Sequence, residues 1–421
     1  MKVLMVNATD IFGGAARAAF RLHQGLRSKG VDSRMLVEIM KGNDPFVIGP
    51  QNDFQKVLAY ARPRIREVPV LLYFKRSGDR FTPAWLPDRL AGRINNINPD
   101  IVHLQWIDDF LRIENIPKLI KPIIWTLHDM WAFTGGCHYD HGCGRYQESC
   151  GCCPLLGSKR GHDLSYKVLR RKKKSWRNTN MVIVCVSNWL ADCARRSIVL
   201  GKYQVKVIPN GLDTKRFQPV DKRTARQLLN LPQKKKIILF GALYATSDPR
   251  KGHNHLKSAI RRLAAWGYSE SVELVIFGAS APSKDDEWRD IGFPVHYLGV
   301  LQDDISLAVV YSAADVMVVP SEQEAFGQTA SESLSCGVPV VAFAIGGLLD
   351  IVGHEREGYL ARPFDSEELA RGIEWVLENQ QRLYSLSENS RKKAMDEFDI
   401  QRISSKYVEL YQEITEQHKH K

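Results

Sequence analysis

The sequence of 421 residues predicts an α/β protein with two doubly wound parallel sheets in tandem. The chain is too long for a single hydrophobic core of ordinary size, and its length indicates two domains. Short β-rich runs alternate with Gly or polar breaks and amphipathic helices, which is the order of βαβ units. The runs are apolar throughout, as expected of strands covered by helices on both faces.

The first series of predicted strands lies in the front half of the chain. It comprises Lys2–Asn7, Ser33–Glu38, Asp100–Trp106, Ile123–Asp129 and Met181–Ser187. After the first strand, apolar residues recur with a period of 3.6, so that Ala15, Ala18, Leu22 and Leu26 fall on one stripe. We therefore predict an amphipathic helix directly after the first strand.

The second series repeats this order from residue 204 onward. It comprises Gln204–Pro209, Lys236–Gly241, Val272–Gly278, Val295–Val300, Asp315–Pro320 and Pro339–Ala344. Two doubly wound domains in tandem present the carboxyl ends of their strands to a crevice, where ligands bind. We expect Rossmann-like domains over residues 1–205 and 206–395, facing each other across a cleft. A final helix within 396–421 is expected to pack back on the first domain.

The net charge of +12 is concentrated in the front half of the chain. Residues 1–200 contain 31 Lys and Arg against 17 Asp and Glu, whereas residues 201–421 contain 28 against 30. Such a basic half attracts nucleic acid, acidic lipid headgroups or a phosphorylated substrate. No apolar run reaches the roughly 18–20 residues that span a bilayer, and Met1–Ala8 is typical of a strand rather than a signal peptide. A cytoplasmic location is therefore expected.

The segment PSEQEAFGQTASESLSCGVP, which begins at Pro320, contains two carboxylates eight positions apart. If a strand ends at Pro320 and a helix begins near Gly327, the first amides of that helix are unpaired and bind anions or hydroxyl oxygens. Glu324 then lies at the mouth of the loop, and Glu332 lies about a turn and a half into the helix. Two carboxylates at different depths suit a ligand with a sugar at one end and a ribose at the other, although an isolated pair is more often solvated.

This segment resembles the signature of the GT-B glycosyltransferases of family four, in which seven residues separate two glutamates. In that family the amides of a Pro-Phe-Gly turn and the first Glu contact the donor sugar, and the second Glu contacts the nucleotide ribose. The chain has Ala325 where the family usually has Pro. The resemblance implies that Glu324 and Glu332 play these two roles here.

Other segments resemble the same family in the expected order, so the likeness covers nearly the whole chain. Val207–Phe217 is similar to the domain-entry stretch, and Lys251–Gly252 to the pair whose lysine neutralises the donor diphosphate. Leu298–Val300 and Tyr311–Pro320 resemble the strand and helix around the base pocket, and Gly346–Gly347 a later glycine loop. Taken jointly, these segments are far more specific than any single Gly-rich loop.

One departure concerns the diphosphate. The family commonly carries a second cationic clamp, an Arg in a Gly-Arg pair, where this chain has Ala242. We predict that Arg250 replaces it. The resemblance implies that the donor contacts Gly13, Gly14, Arg250, Lys251, Val300, Glu324, Phe326, Gly327, Gln328, Thr329 and Glu332.

The first strand is followed by a glycine pair, Gly13–Gly14, and then by the predicted helix. Glycines permit close approach of the backbone, and a helix start favours a phosphate or a developing anion. A tight turn without a ligand is the alternative interpretation of the same residues. In the family this loop closes over the donor, which favours a binding role.

His128 ends the predicted strand IIWTLH and matches a histidine at the reaction centre of the family. A lone histidine at a strand end is otherwise more often structural. Asp129 and His103 are further candidates for orienting the acceptor. The resemblance implies retaining transfer through an oxocarbenium-like state, with Lys251 and peptide dipoles stabilising the leaving diphosphate and Glu324 aligning the sugar. Because no Asp-x-Asp motif follows a suitable strand, we expect metal-independent chemistry.

Five of the eight cysteines fall between Cys137 and Cys153. Four of them, Cys137, Cys143, Cys150 and Cys153, have spacings compatible with a structural zinc site. Cys152, His138 and His141 are alternative ligands. Reduced thiols and a disulfide remain alternatives, and nothing in the sequence indicates the export that would favour disulfides. The surrounding segment resembles a subset of the family associated with exopolysaccharide and colanic-acid-type assembly.

Two basic segments in the front half predict contact with a membrane. Lys167–Arg177 is a dense basic run beside a tryptophan, and Arg62–Phe81 mixes Arg and Lys with the apolar run PVLLYF. A charged run is usually a solvated face, yet a polyprenyl-diphosphate acceptor would be met at an anionic bilayer. We therefore predict peripheral binding at the inner face of the membrane.

Together these observations predict a retaining hexosyltransferase that moves a sugar from a UDP- or GDP-sugar to a glycan or lipid-linked acceptor in surface polysaccharide biosynthesis. A nucleotide-sugar epimerase on the same two-domain fold is the alternative. A nucleic-acid partner is not expected, because the sequence contains no RNA-binding motif.

Overall fold

The computed structural model describes residues 1–243, 245, 247–278, 288, 291–301 and 303–419. The chain divides into two compact units, one formed by Met1–Pro209 with Gln401–Lys421 and the other by Asn210–Ile400. Across the described residues, no helix combines the length and apolar character needed to cross a bilayer.

The first unit contains a seven-stranded sheet in which every neighbouring pair is parallel. Its strands are β1 (Lys2–Thr9), β2 (Asp32–Ile39), β3 (Val47–Ile48), β4 (Ile101–Leu104), β5 (Ile123–Leu127), β6 (Met181–Cys185) and β7 (Val205–Val207). The spatial order is β3-β2-β1-β4-β5-β6-β7. The strand order therefore reverses between β1 and β4, which is the topological switch point of a doubly wound sheet.

Seven α-helices belong to the described part of this unit. They are α1 (Gly14–Ser28), α2 (Asp53–Arg66), α3 (Val68–Leu71), α4 (Leu90–Ile97), α5 (Leu164–Ser175), α6 (Asn188–Arg196) and the final helix α14 (Ile400–Lys419). Three residues of the predicted stripe of α1, Ala18, Leu22 and Leu26, are buried, whereas Ala15 is half-buried. Leu22 and Leu26 pack with strand residues such as Val3 and Met35 in one hydrophobic core.

The second unit contains a six-stranded parallel sheet. Its strands are β8 (Lys236–Gly241), β9 (Val272–Phe277), β10 (Val295–Tyr297), β11 (Val316–Val319), β12 (Val340–Phe343) and β13 (Gly358–Ala361). The order β10-β9-β8-β11-β12-β13 places the switch point between β8 and β11. The prediction of two doubly wound α/β sheets is therefore confirmed.

The α-helices described in the second unit flank this sheet. They are α7 (Lys222–Leu228), α8 (His253–Ala265), α9 (Asp304–Ala313), α10 (Gln328–Ser335), α11 (Leu348–Ile351), α12 (Ser366–Glu378) and α13 (Gln380–Lys393). Residues of α8 and α12 pack with β8, β9, β11 and β12 in one core that includes Ile238, Leu256 and Ile373.

One predicted strand was assigned to the wrong series. The run Gln204–Pro209 was expected to open the second sheet, but β7 pairs with β6 and completes the first, with Ile183 opposite Val205. The short edge strands β3 and β13 were not predicted. A strand at a sheet edge needs few apolar residues, because only one neighbour pairs with it.

The final helix α14 packs on the first unit through polar contacts in the interior. The Tyr411 hydroxyl lies 2.7 Å from Nδ1 of His103, and the Tyr407 hydroxyl lies 2.9 Å from Oγ1 of Thr126. His103 also lies 2.8 Å from Thr126 through Nε2. Buried polar groups must be hydrogen-bonded, so this network fixes the helix in register on β4 and β5.

Candidate active site

The switch point of the second unit brings together the loops that follow β8 and β11. The loop after β8 carries Arg250 and Lys251, and the loop after β11 carries Glu324. Because both strands are parallel and adjacent, their carboxyl ends meet at one edge of the sheet. The topology itself therefore brings residues 73 positions apart into contact.

Lys251 and Glu324 form the central ion pair of this edge. The Lys251 Nζ donates to Glu324 Oε2 over 2.7 Å, and the two side chains are only 18% and 12% exposed. Burial lowers the pKa of Lys251, and Glu324 opposes that shift. For Glu324, burial favours the neutral acid, but Lys251 and Arg250 hold the pKa of its carboxyl below the ordinary value. The lowered pKa keeps Glu324 ionised at neutral pH, and its carboxylate favours the protonated form of Lys251.

Arg250 fastens the two loops to each other. Its Nη1 donates to the carbonyl of Gln323 over 3.0 Å, and its Nη2 pairs with Asp248 over 2.9 Å. The amide of Glu322 donates to the carbonyl of Arg250. Nη1 also lies 3.8 Å from Glu324, so a second cation accompanies Lys251. Arg250 therefore lies beside Lys251. Its predicted role, to bind the donor diphosphate in place of the Arg that this chain lacks at Ala242, stays a prediction.

The loops that follow β8 and β11 approach each other so closely that position 252 must be a glycine. Its φ of +70° lies in the left-handed region, and a Cβ there would collide with the carbonyl oxygen of Pro320. Gly252 also precedes the first turn of α8, which begins at His253. This contact explains why glycine follows Lys251, because a larger residue at position 252 would keep Lys251 away from the end of β11.

The segment after Glu324 turns sharply into α10. Gly327 has φ +104° and precedes the helix, whose first residues are the half-buried Gln328 and Thr329. Phe326 is buried and makes an edge-to-face contact with Phe398 at 5.8 Å between ring centroids. The amides in the first turn of a helix have no intrahelical acceptor, so this turn offers donors to an anion or a hydroxyl.

The glycine loop after β12 lies against the backbone of Glu324. The amide of Gly347 donates to the main-chain carbonyl of Glu324 over 2.8 Å. A Cβ at Gly346 would collide with that carbonyl as well. The three loops after β8, β11 and β12 therefore converge on Glu324.

Two other predicted donor residues have different surroundings. Glu332 is buried on α10 and accepts a hydrogen bond of 2.9 Å from the Tyr311 hydroxyl. Val300 is half exposed and follows β10, the edge strand. Tyr311 opens the segment Tyr311–Pro320 that resembles the region around the base pocket, and it lies on α9, before β11. Its contact with Glu332 was not predicted.

In the first unit, the switch point lies between β1 and β4. The amide of Trp106 donates to Asn7 Oδ1 over 2.8 Å, and the amide of Ala8 donates to the carbonyl of Trp106 over 2.9 Å. Gly13, with φ +93°, precedes α1, which begins at Gly14. The predicted glycine loop therefore lies at the carboxyl edge of this sheet, where the first turn of a helix begins.

His128 follows β5 at the same edge of the first sheet. Its Nε2 lies 2.8 Å from Gln105 Oε1, and burial lowers the pKa of the ring to about 4. The imidazole is therefore neutral at physiological pH. Gln105 was not singled out from the sequence, although it directly follows β4 and is thus placed beside β5.

Asp129 holds a neighbouring network in place. Its Oδ2 lies 2.7 Å from Nδ1 of His138 and accepts a hydrogen bond of 2.8 Å from the indole of Trp106. His138 Nε2 in turn lies 2.9 Å from the Thr82 hydroxyl, which donates to Asp108. Burial favours the neutral acid at Asp129, but His138 and other donors hold its pKa below the ordinary value. Asp129 therefore orients His138.

His103 has no access to an acceptor, contrary to the prediction. It is fully buried, contacts Tyr411 and Thr126, and burial lowers its pKa to about 3. Its position on β4, one residue before the strand ends, points it into the sheet's interior network. His103 is a structural residue of the first unit.

The four cysteines of the zinc prediction line one small cavity of about 20 Å³ in the first unit. All are free thiols, and burial raises the pKa of Cys137, Cys150 and Cys153. The described part of the chain contains no group of three or more His, Cys, Asp or Glu side chains arranged to hold a metal ion. The zinc site stays a prediction, and no step of the chemistry is assigned to it.

The basic run on α5 is partly structural. Lys172 is buried and donates to the carbonyls of Trp131 and Thr134, while Arg171 pairs with Glu114 over 2.7 Å. Trp176 is only 1% exposed. Trp176 and Lys172 of this run are therefore buried in the protein, whereas Lys173 and Lys174 are exposed, and membrane binding by the run stays a prediction.

Two family models match consecutive parts of the chain. The model described as Glycosyltransferase Family 4 matches residues 12–216, and the model described as Glycosyl transferases group 1 matches residues 221–393. The chain is 28% identical over 235 residues to an MMP alpha-(1->4)-mannosyltransferase of Mycolicibacterium hassiacum, covering 55% of this chain and 53% of that protein. It is 33% identical over 182 residues to a D-inositol 3-phosphate glycosyltransferase of Stackebrandtia nassauensis, covering 41% and 40%. The matches span about half or less of these relatives.

Solved structures share the fold over almost the whole chain. A sucrose-phosphate synthase from Thermosynechococcus elongatus aligns with a TM-score of 0.70 at 23% identity, covering 98% of this chain and 99% of that one. The glycosyltransferase WaaG, involved in lipopolysaccharide biosynthesis, aligns with a TM-score of 0.66 at 16% identity, covering 97% and 99%. Anabaena HepE, solved in complex with UDP-glucose, aligns with a TM-score of 0.65 at 18% identity, covering 98% and 100%. The chain therefore belongs to the group 1 glycosyltransferases, and its two α/β units have the GT-B fold.

Proposed function

We propose that the protein transfers a hexose from a nucleotide-diphosphate donor to an acceptor, with retention of anomeric configuration. The observation that carries this proposal is the partly buried ion pair between Lys251 and Glu324, next to the first turn of α10. A nucleotide-sugar donor presents a diphosphate beside a ring of hydroxyls. A cation, a carboxylate and the positive end of a helix match these two chemical groups.

Lys251 is the group that binds the diphosphate. In the absence of donor its charge is balanced by Glu324, so the site holds a buried cation without leaving it uncompensated. A donor phosphate replaces part of that balance, and Arg250 adds a second positive charge at 3.8 Å from the same carboxylate. As the glycosidic bond breaks, negative charge grows on the leaving phosphate, and these cations stabilise it.

Glu324 is proposed to align the sugar rather than to attack it. Its Oε2 already accepts from Lys251, which makes it a weak nucleophile, while an ionised carboxylate accepts hydrogen bonds from sugar hydroxyls. Glu332 is proposed to contact the ribose. His128 is proposed to contact the transferred sugar as a neutral ring, since its lowered pKa removes the positive charge that would oppose an oxocarbenium-like state.

The acceptor is proposed to be a glycan or a polyprenyl-diphosphate-linked sugar in surface polysaccharide assembly, met at the cytoplasmic face of a membrane. Two features support this assignment: the likeness of the segment around His128 to exopolysaccharide-type transferases, and the concentration of positive charge in residues 1–200. Transfer is proposed to need no metal, so activity should persist in the presence of EDTA.

Thermal-shift screening against UDP- and GDP-sugars tests the proposal. The correct donor at one hundred times its Kd should stabilise the protein by about 2.7 kcal/mol, and the wrong nucleotide should not. Lys251→Ala should abolish the shift, whereas Lys234→Ala, which removes an exposed lysine of the same unit, should retain it. Absence of a shift with every nucleotide sugar would contradict the proposal.

An assay without acceptor separates transfer from the alternative function. A transferase hydrolyses its donor slowly or leaves it intact, and releases free nucleoside diphosphate when an acceptor is added. Conversion of the free donor into an isomeric nucleotide sugar would instead identify an epimerase.

A structural zinc ion on Cys137, Cys143, Cys150 and Cys153 stays a separate proposal. It is supported by the cavity that the four cysteines share. Metal analysis of the purified protein tests it. One zinc per chain, lost in Cys150→Ser, is the expected result, and metal-free protein of unchanged stability would refute it.

A further inference from the structure

The segment from Phe54 to Phe74, which covers α2, α3 and the turn after them, exposes an unusual number of apolar side chains. Among the described residues, 22 large hydrophobic side chains are exposed, and nine of them lie in this span of 21 residues. They are Phe54, Val57, Leu58, Tyr60, Ile65, Val68, Leu71, Leu72 and Phe74. Scattered exposed hydrophobic residues are normal, but such a concentration marks an interaction site.

Helix α2 is amphipathic, but its charged side faces the interior of the protein and its apolar side faces solvent. Its inward side carries the buried Ala59 and the guanidinium groups of Arg62 and Arg66, each only 14% exposed. Phe54, Val57 and other apolar residues occupy the opposite side and are 76% and 68% exposed. An ordinary surface helix turns its apolar stripe to the core and its charges to water.

Specific polar contacts hold α2 in this inverted orientation. The Arg62 Nε lies 2.8 Å from Glu38, and its Nη groups donate to the carbonyls of Pro87 and Asp109. Arg66 pairs with the buried Asp108. The apolar side of α2 is therefore exposed because Arg62 and Arg66 form their ion pairs and hydrogen bonds on the inward side.

The residues after α2 are fastened to the cysteine-rich segment. Val70 packs in a small core with Phe81, Cys137 and Cys153. The Tyr73 hydroxyl accepts a hydrogen bond of 2.9 Å from the amide of Leu164. Leu72 and Phe74 flank Tyr73 and are 75% and 97% exposed. Val70 and Tyr73 thus anchor this segment, while Leu71, Leu72 and Phe74 are exposed to solvent.

Positive charges border this apolar surface. Lys56, Arg64, Lys75 and Arg76 are exposed within or beside it. Of these four, only Lys56 has an ion-pair partner, Asp53 at 3.0 Å, among the residues that the structure describes. Apolar side chains interleaved with exposed Lys and Arg match the boundary between acyl chains and anionic headgroups of a bilayer.

We propose that this apolar-basic surface, formed by α2, α3 and residues 72–76, binds an anionic lipid bilayer. Phe54, Leu72 and Phe74 enter the boundary between headgroups and acyl chains, and the bordering Arg and Lys side chains contact lipid phosphates. The proposal does not rest on the proposed transfer reaction, because lipid binding is measured without donor or acceptor. It replaces the basic run of α5 as the membrane-binding element, since Trp176 and Lys172 are buried there.

Co-sedimentation of the full-length protein with vesicles tests the proposal. Vesicles that contain phosphatidylglycerol should sediment the protein, and vesicles of pure phosphatidylcholine should sediment much less. Leu72→Ser with Phe74→Ser should weaken binding by about tenfold or more, because two exposed side chains lose their apolar contact. Lys75→Ser with Arg76→Ser should weaken binding at physiological salt and reduce its salt dependence.

Matched variants on the other surfaces serve as controls. Leu228→Ser with Ile305→Ser removes two apolar side chains that are 69% and 70% exposed in the second unit, and should leave binding unchanged. Lys173→Ser with Lys174→Ser tests the exposed part of α5, and should have a smaller effect than Lys75→Ser with Arg76→Ser. Equal loss in the control variants, or unchanged sedimentation of Leu72→Ser with Phe74→Ser, would overturn the proposal.

A second readout reports insertion directly. Phe74→Trp should gain fluorescence quenching by brominated acyl chains relative to the wild-type protein, whereas Ile305→Trp should not. Sedimentation velocity in the absence of lipid distinguishes another occupant of the surface. A dimer that dissociates in Leu72→Ser with Phe74→Ser, together with no vesicle binding, would assign the surface to a second copy of the chain and refute lipid binding.

Discussion

The carboxyl edges of the two sheets have the same topology but differ in charge: an ion pair lies at the edge of the second sheet and a neutral histidine at the edge of the first. At the switch point of the second unit, the partly buried Lys251 and Glu324 form an ion pair. At the edge of the first unit, His128 is partly buried and neutral and contacts the amide side chain of Gln105. A doubly wound sheet therefore supplies a place for a ligand, and the loop residues decide which chemical group is bound there.

The difference follows from how each buried group is compensated. A buried cation is tolerated beside a carboxylate, as in the pair at the second sheet. A buried imidazole with only an amide partner loses its proton instead. The first edge is thus suited to neutral polar contacts, and the second edge is suited to an anion such as a diphosphate.

Removing the charge of Glu324 should have the largest effect. Glu324→Gln is expected to lower kcat/KM by about 10²- to 10³-fold, because the sugar loses a fixed acceptor. The free nucleoside diphosphate should bind no more weakly than to the wild type, since Lys251 is released from its partner. Steady-state kinetics and calorimetry with the nucleoside diphosphate measure the two quantities.

The control for this variant lies in the same loop. Glu322→Gln removes a carboxylate that is 41% exposed and pairs with His255, and it should retain most activity. Lys251→Ala should weaken both turnover and diphosphate binding. Equal loss of diphosphate binding in Glu324→Gln and Lys251→Ala would contradict the division of roles between the two residues.

Gly252→Ala should destabilise the charged edge itself. The added Cβ would collide with the Pro320 carbonyl and hold alanine in the left-handed region, which together cost about 2–5 kcal/mol. Gly267→Ala is a matched control, because Gly267 also has positive φ but no atom within 4 Å of an added Cβ. It should cost only about 1–2 kcal/mol. Chemical denaturation compares the two variants, and equal losses would exclude close approach as the cause.

The neutral histidines of the first unit predict a loss of stability in acid. Burial lowers the pKa of His103 to about 3 and that of His128 to about 4. An unfolded chain, with ordinary His pKa near 6.5, binds these protons at higher pH than the folded chain. Stability is therefore unaffected above about pH 6.5 and falls as the pH decreases, by about 2 kcal/mol for each ring at pH 5.

A substitution isolates one of these rings. His103→Gln should reduce the difference in unfolding free energy between about pH 8 and pH 5 by about 2 kcal/mol. His418→Gln, at an exposed histidine of α14, should leave this difference unchanged. Denaturation at the two pH values provides the measurement, and an unaltered pH dependence in His103→Gln would show that the ring is protonated in the folded chain.

The apolar pattern predicted the central strands of both sheets well. Strands such as β1 and β8 are flanked by partners on both sides, so their sequences are continuous apolar runs. The edge strands β3 and β13 were missed, and β7 was assigned to the wrong sheet. Strand pairing is a long-range property, and the short run Val205–Val207 contains no local signal for the sheet that it joins.

The site residues were predicted with different success for a similar reason. The spacing of Glu324 and Gly327 and the Lys-Gly pair are local patterns, and the structure brings Lys251 and Glu324 into contact. Gln105 was missed, and the contacts of His138 with Asp129 and of Tyr311 with Glu332 were not predicted, because they depend on neighbouring strands and helices. The sequence likewise showed that Arg62 and Arg66 are basic, but not that both point inward.

The sequence by itself determined the alternation of strands and helices, the glycine positions and the identity of the charged groups, because these depend on local periodicity and side-chain chemistry. Only the tertiary structure decided which charges are paired, which histidines are neutral and which side of α2 faces solvent. Those properties depend on burial and on partners far apart in the chain. Burying a charged group is unfavourable when it has no partner and is tolerated when an opposite charge or a hydrogen bond compensates it.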